Sequence, residues 1–241
     1  MGVYSNIQIK AAIKAGHIVC YPLNEKHIAG SSLDVTLGEW YYRTERSGGS
    51  GFYNPFDKKD VDRYFDGPHK AEIHNKWAKA NGRQLFAGIP PNQPIIILRP
   101  GERILGHTHE FIGIKAPGTS TLQARSTWGR NGVAVCIDAG WGDPGYINRW
   151  TMEIYNMNQH ESIVLPVGER VAQMVFYETG PVDWEYKSLS GKYQNAKSTD
   201  LISLIKSWTP EQMTPRAYKD KRELPPRVKG LRPFQKGRSN V

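Results

Sequence analysis

Cysteine is nearly absent. Cys20 and Cys136 are the only two in 241 residues, so at most one disulfide could form, and reduced thiols are the expectation for a cytosolic chain. No apolar run approaches the roughly 20 residues that span a bilayer, which excludes a helical membrane protein. The N-terminus, MGVYSNIQIK, lacks the apolar core of a signal peptide. Asn6 stands where N-myristoylation needs Ser or Thr. Cytoplasmic residence without a membrane partner is the expectation from these absences.

Glycine and proline, by contrast, are plentiful, at 24 and 16 residues, and mark many turns between short elements. Hydrophobic residues at 39% and charged residues at 23% are ordinary for a globular domain. The net charge of +9 is uneven. From Pro215 onward Arg216, Lys219, Lys221, Arg222, Arg227, Lys229, Arg232, Lys236 and Arg238 face only Asp220 and Glu223. Such a tail is expected to be solvated and flexible. Contact with nucleic-acid phosphates is the second reading, and no nucleic-acid motif accompanies it.

Ser5 is placed to cap a helix through NIQIKAAIKAG, with Gly16 as its stop and Ile7, Ala11 and Ala15 on one face. HIVCYPL reads as a strand, and SSLDVTLGEWYYR as another with Leu33, Val35 and Leu37 on one side. Residues 44–90 read as a polar, glycine-rich excursion with one short helix near HKAEIHNKWAKANG. From Ile95 short strands follow one another: PIIILRP, RILGHTHEFIGI, VAVCID, RWTMEIYN, ESIVLP and RVAQMVFYE. Turns at Pro100-Gly101, Pro117-Gly118, Pro144-Gly145 and Val167-Gly168 separate them. Even spacing of short strands points to an all-β barrel or sandwich. STDLISLIKSW reads as a late helix capped by Ser198 or Thr199.

Four patterns carry chemistry. In GHTHE, His107 and His109 fall on one side of a strand and Glu110 on the other, so a metal set is not evident and two partly exposed histidines are expected. The His-x-Glu and Pro-Cys-x-x-Cys pair of zinc deaminases is missing. ARSTWGRNG combines two arginines and two hydroxyls in a glycine-containing turn, the materials of a phosphate cradle. In DAGWGDPGYINRWTMEIYN, Asp138 and Asp143 sit in turns, Tyr146 offers a ring to stack, and Glu153 faces away from Met152 and Ile154. That side is solvent or an enclosed polar cavity, and a half-buried carboxylate there suits general-base work. Gln173 interrupts the apolar RVAQMVFYE, which marks a polar site or an interface.

Taken in order, these segments resemble the dCTP deaminase/dUTPase family. The match begins with IKAGHIVCYPLNEKHIAGSSLDVTLG, runs through LRPGERILGHTHEFIGI, ARSTWGRNGV, DAGWGDPGYINRWTMEIYN and PVGERVAQMVFYE, and ends with SGKYQ. Glu153 and the GKYQ tail favour the deaminase branch, and Ala139-Gly140-Trp141 is similar to bifunctional members that continue to dUMP and pyrophosphate. The resemblance implies a mainly β fold: a distorted, dUTPase-like β-clip barrel with a few short helices. It also implies a homotrimer with shared sites, and Mg²⁺ carried on the triphosphate rather than zinc. The domain would span 1–197, with a C-terminal helix and basic tail over 198–241.

By position, Glu153 would activate water for attack on the cytosine ring, with Arg130 and Ser126 holding that water. Arg125 and Thr127 would meet phosphates, and Ala139 would read the base through its backbone, next to Asp138 and Trp141. Asp143 would bind the sugar 3′-hydroxyl and help phosphate cleavage, Tyr146 would pack under the deoxyribose, and Gln173 would support the site. Lys192 and Tyr193 would lie over the triphosphate. The other readings are a dUTP diphosphatase that does not deaminate and a non-catalytic nucleotide- or nucleic-acid-binding regulator. Four departures stand out: Asp138 replaces a usual threonine, Cys136 a histidine, Asn148 a glycine, and Trp128 a smaller residue.

Overall fold

A computed structural model describes residues 2–44, 51–186, 192–193 and 200–220. In chain order the elements begin with α1 (Asn6–Lys14), β1 (Ile18–Tyr21), β2 (Ile28–Ala29), β3 (Ser32–Thr36) and β4 (Trp40–Thr44). There follow α2 (Lys58–Tyr64), β5 (Phe65–Lys70), β6 (Glu72–Ile73), α3 (His74–Ala80) and β7 (Pro94–Leu98). The central part holds β8 (Arg103–Ile114), β9 (Gly118–Ala124), α4 (Ser126–Arg130), β10 (Val133–Val135), β11 (Trp141–Gly142) and β12 (Ile147–Asn156). The chain continues with β13 (Ile163–Pro166), β14 (Arg170–Glu178) and α5 (Leu201–Ser207).

The fold is mainly β, as expected, but the expected barrel is not closed among the described residues. Three sheets form instead: β10-β12-β8-β4-β5 with β1 also on β8, β11-β9-β14-β3-β2, and β13-β7-β6. Every described pairing is antiparallel. The sheets share one apolar cluster rather than bonding edge to edge. Val35 and Leu33 of β3, Phe176 and Met174 of β14, and Ile112 and Ile154 of the larger sheet all enter it.

Several local expectations change. Ser5 does cap α1, in a capping box with Gln8, and Gly16 follows with φ +70°. The face that packs is Ile9 and Ala12, however, while Ile7, Ala11 and Ala15 are exposed. The helix carries two apolar stripes, and the core takes the one with Ile9. SSLDVTLGEWYYR is two strands in two sheets, broken at Gly38, where a Cβ would stand 2.0 Å from the His107 ring. The described part of the excursion, 51–90, holds the helix expected near HKAEIHNKWAKANG, as α3, and further elements that its composition did not signal. Asp57 caps α2 through the Lys59 amide, and β5 pairs with β4. VAVCID is a strand only to Val135, since Cys136 turns the chain at φ +49°.

The two strand histidines also differ from expectation. His109 is exposed but His107 is fully buried. Its Nδ1 lies 2.8 Å from the Thr108 carbonyl and its Nε2 accepts from the Trp40 amide at 3.2 Å, which fixes a neutral ring with the proton on Nδ1. Glu110 is buried too, and accepts from the Thr36 amide (2.9 Å) and hydroxyl (2.7 Å). Burial pushes the His107 pKa down to about 3. Its depressed folded value means the unfolded chain binds the extra proton first as pH falls. Stability should therefore decline from about pH 6.5, the ordinary histidine value, toward about 3. Urea midpoints between pH 7 and 4 should carry that slope, and His107→Gln should remove it.

Candidate active site

β12 alternates as a half-buried strand should. Met152 and Ile154 enter the core, and Glu153 turns to the other side. There it meets a cavity of about 320 Å³. Leu105 of β8, directly across from Glu153, and Met213 form an aliphatic wall. Asp143, Tyr146, Trp150 and Tyr186 form a polar and aromatic end. Ala139, Trp141 and Tyr193 also face this space.

Glu153 is the most unusual group in it. Its Oε2 is buried and finds no hydrogen-bond partner among the described residues. Burial raises its pKa, and the charge of Asp138 adds to that, while hydrogen bonding and Arg103 oppose it. A carboxylate kept short of partners and partly desolvated is a stronger proton acceptor than one on the surface.

The aromatic end is fixed from behind. Trp150 donates its indole N–H to the Ile112 carbonyl (2.9 Å) and its amide to Thr108 Oγ1 (2.8 Å). Tyr146 meets Trp150 and Tyr186 edge-on, with centroids 5.2 and 4.9 Å apart. Burial raises the Tyr146 pKa, so its hydroxyl stays protonated. The turn that presents Asp143 closes with Tyr146 N donating to Asp143 O (3.0 Å), and Gly145 N is held by Ile114 O (2.8 Å). Gly145 adopts φ +85°, which only glycine does at little cost.

The cavity thus gathers Glu153, Asp143, Tyr146, Ala139, Trp141 and Tyr193. The other candidates lie elsewhere. Ser126, Thr127 and Arg130 are exposed on α4. Arg125 pairs with Asp34 (Nε to Oδ2, 3.1 Å), which also binds Arg170 Nη1 at 3.1 Å. Gln173 sits in β14 between Asp34 and Gln123 on the flanking strands. Asp138 is exposed beside the cavity. Lys192 is ion-paired with Asp220. Ser190, Gly191 and Gln194 of the tail motif, the Ser198 or Thr199 cap and residues 221–241 fall outside the described residues. Asp200 caps α5, its Oδ2 accepting from Ser203 N at 3.0 Å. Arg216, counted with the solvated tail, is buried.

Leu105, Trp150, Thr151, Tyr186, Met213 and Pro215 line the cavity without having been singled out from sequence. Trp150 and Thr151 were legible in principle, three and two residues from Glu153 toward Tyr146. Tyr186, Met213 and Pro215 carry no local signal. Among the described residues no group of three or more His, Cys, Asp or Glu is assembled to hold a metal.

The sequence profile of the dCTP deaminase-like family matches residues 3–179. The chain belongs to that family. A Methanopyrus kandleri protein named "dCTP deaminase, dUMP-forming" is 33% identical over 199 residues, 80% of this chain and 91% of the relative. A Nanoarchaeum equitans protein of the same name is 28% identical over 201 residues, 83% and 96% of the two chains. The solved 2′-deoxycytidine 5′-triphosphate deaminase from Agrobacterium tumefaciens aligns with a TM-score of 0.49 at 19% identity, covering 73% of this dCTP deaminase-like chain and 48% of that one. No described helix of this family member is long and apolar enough to cross a membrane.

Proposed function

We propose that this family member deaminates dCTP hydrolytically and carries the product on to dUMP and pyrophosphate. The observation that carries the reading is Glu153, whose buried Oε2 has no partner among the described residues, at the wall of a nucleoside-sized cavity. The relatives' names point the same way. In this mechanism the cytosine ring lies between Glu153 and Ala139, and the deoxyribose lies toward Asp143 and Tyr146. Glu153 takes a proton from water as its oxygen attacks C4 and passes it to the ring nitrogen; the remaining hydroxyl proton of the adduct then moves through Glu153 to the exocyclic nitrogen, the C–N bond breaks, and ammonia leaves. Asp143 then helps a second water split the triphosphate.

Ser126 and Arg130 face solvent on α4, away from the cavity of their own chain. In the proposed homotrimer a neighbouring copy's α4 brings them, with Arg125 and Thr127, to the water and the phosphates. Mg²⁺ would arrive bound to the triphosphate, since no described donor cluster is built for it, and it would neutralise phosphate charge. An intact general base favours deamination over diphosphatase activity alone.

The test is incubation with dCTP and Mg²⁺ followed by separation of nucleotides. dUMP, ammonia and pyrophosphate are expected. dUTP as the end product would remove the second step, and unchanged dCTP would overturn the reading. The pH profile is a separate check. Because burial raises the Glu153 pKa, the acid limb of kcat/KM should fall above the ordinary glutamate value of about 4.3.

A further inference from the structure

Residues 200–220 lie beyond the 3–179 family match, yet they pack on the domain at three points. Leu204 of α5 is buried with Phe111 and Ile147. Trp208 lies tilted against His107 (centroids 4.8 Å apart) and takes the Arg149 guanidinium at 4.7 Å. Met213 packs with Tyr42 and Leu105, and with Pro215 it reaches the cavity wall.

The same segment grips Lys192 and Tyr193. Arg216 Nη1 donates to the Lys192 carbonyl at 2.5 Å, and its backbone N donates to the Tyr193 hydroxyl at 3.3 Å. Asp220 pairs with the Lys192 ammonium. On β12, Asn148 Nδ2 donates to the Tyr193 carbonyl (2.8 Å) and to Gln212 Oε1 (3.2 Å). Gln212 Nε2 in turn donates to Ser207 O at 2.8 Å. Asn148, Gln212 and Arg216 are all buried, where such bonds are costly to break.

We propose that residues 200–220 form a strap that fixes the Lys192–Tyr193 turn, whose tyrosine lines the cavity, before any nucleotide arrives, with Arg216 and Asn148 as its positioning residues. An unstrapped turn must be ordered by the ligand, and that entropy is charged against affinity. Here the chain's own contacts order it. Asp220 holds the Lys192 ammonium in place, and a phosphate group entering the cavity would replace that carboxylate. The kinetic part of this inference rests on the nucleotide reading of the cavity, but the structural part does not.

Hydrogen exchange followed by mass spectrometry, without nucleotide, tests the structural part. The peptide containing Lys192 and Tyr193 should be protected in the parent protein and exchange at least tenfold faster in Arg216→Ala, with Arg216→Lys intermediate. The exchange of β8 should stay unchanged in both variants, which excludes general unfolding. Fast exchange in the parent, or equal protection in Arg216→Ala, overturns the strap. With dCTP, Arg216→Ala should raise KM about tenfold and leave kcat within about twofold, because binding rather than chemistry loses its preparation. A fall in kcat at constant KM would overturn the positioning role. If the exchange result holds while the parent protein turns over no dCTP, the strap stands and the nucleotide reading fails.

Discussion

Glu153→Gln should lower the rate of ammonia release from dCTP by about a thousandfold, within the range of roughly 10² to 10⁴ that a positioned general base contributes. The amide keeps the size and polarity of the side chain but cannot take a proton from water. KM should change little, because Leu105, Ala139, Asp143 and Tyr146 still build the cavity. The acid limb assigned to Glu153 should disappear from the residual activity. Stability should move the other way. The folded pKa of Glu153 is raised, so the fold disfavours its ionised form. That cost is absent below the unfolded value of about 4.3, grows as pH rises toward the folded pKa, and is fully present above it. The glutamine variant should therefore unfold at higher urea than the parent at pH 7, with the difference vanishing below about pH 4. A variant that retains parental kcat would remove Glu153 from the chemistry.

Gly113→Ala should be the most damaging change in the scaffold. Gly113 pairs with Val19 on one side and Ile147 on the other, so its backbone is fixed in both directions. A Cβ there would stand 2.0 Å from the Tyr146 carbonyl oxygen and 3.0 Å from the Ile147 Cα. Backbone atoms cannot rotate away as a flexible side chain can. A loss of about 3 kcal/mol or more is expected, at the upper end for overpacking, read as a lower urea midpoint with unchanged slope. Any folded fraction should bind nucleotide weakly, because the displaced oxygen belongs to the turn that presents Asp143 and Tyr146. Gly129→Ala is the control. Its Cβ would meet nothing within 4 Å, and it lies in a helix, where alanine gains up to about 1 kcal/mol over glycine.

These outcomes turn on features of unequal visibility in the sequence. β14 was legible to the residue as RVAQMVFYE, and Glu153 could be placed on the polar side of its strand, because a two-residue period with apolar neighbours leaves little choice. β9 was not legible. Its GTSTLQA buries Thr119 and Ser120, and such residues look like loop until their partners are known. Thr119 Oγ1 donates to the Gly142 carbonyl at 2.7 Å, a contact made across 23 positions. Within the 44–90 excursion α3 falls where a short helix was expected, but α2, β5 and β6 were hidden, because each is too short for periodicity to accumulate and each is held by tertiary pairing. Met213 and Pro215 were hidden for a similar reason. Nothing in TPEQMTPRAYKD announces that it will reach a cavity beside Glu153. Strand spacing left barrel and sandwich both open, the family resemblance favoured the barrel, and its closure is the part of the fold expectation that changed.

Asn148 has a consequence for how such a chain could arise. Its buried amide spends its donors on Tyr193 of the tail motif and on Gln212 of the 200–220 segment. Without residues 200–220 this asparagine would lose its Gln212 acceptor, and without the asparagine the buried Gln212 carbonyl would lose its Asn148 donor. The residue and the appended segment are therefore expected to be gained or lost as a unit. Grafting residues 200–220 onto a relative with glycine at this position should give a poorly seated appendage until the asparagine is grafted with it.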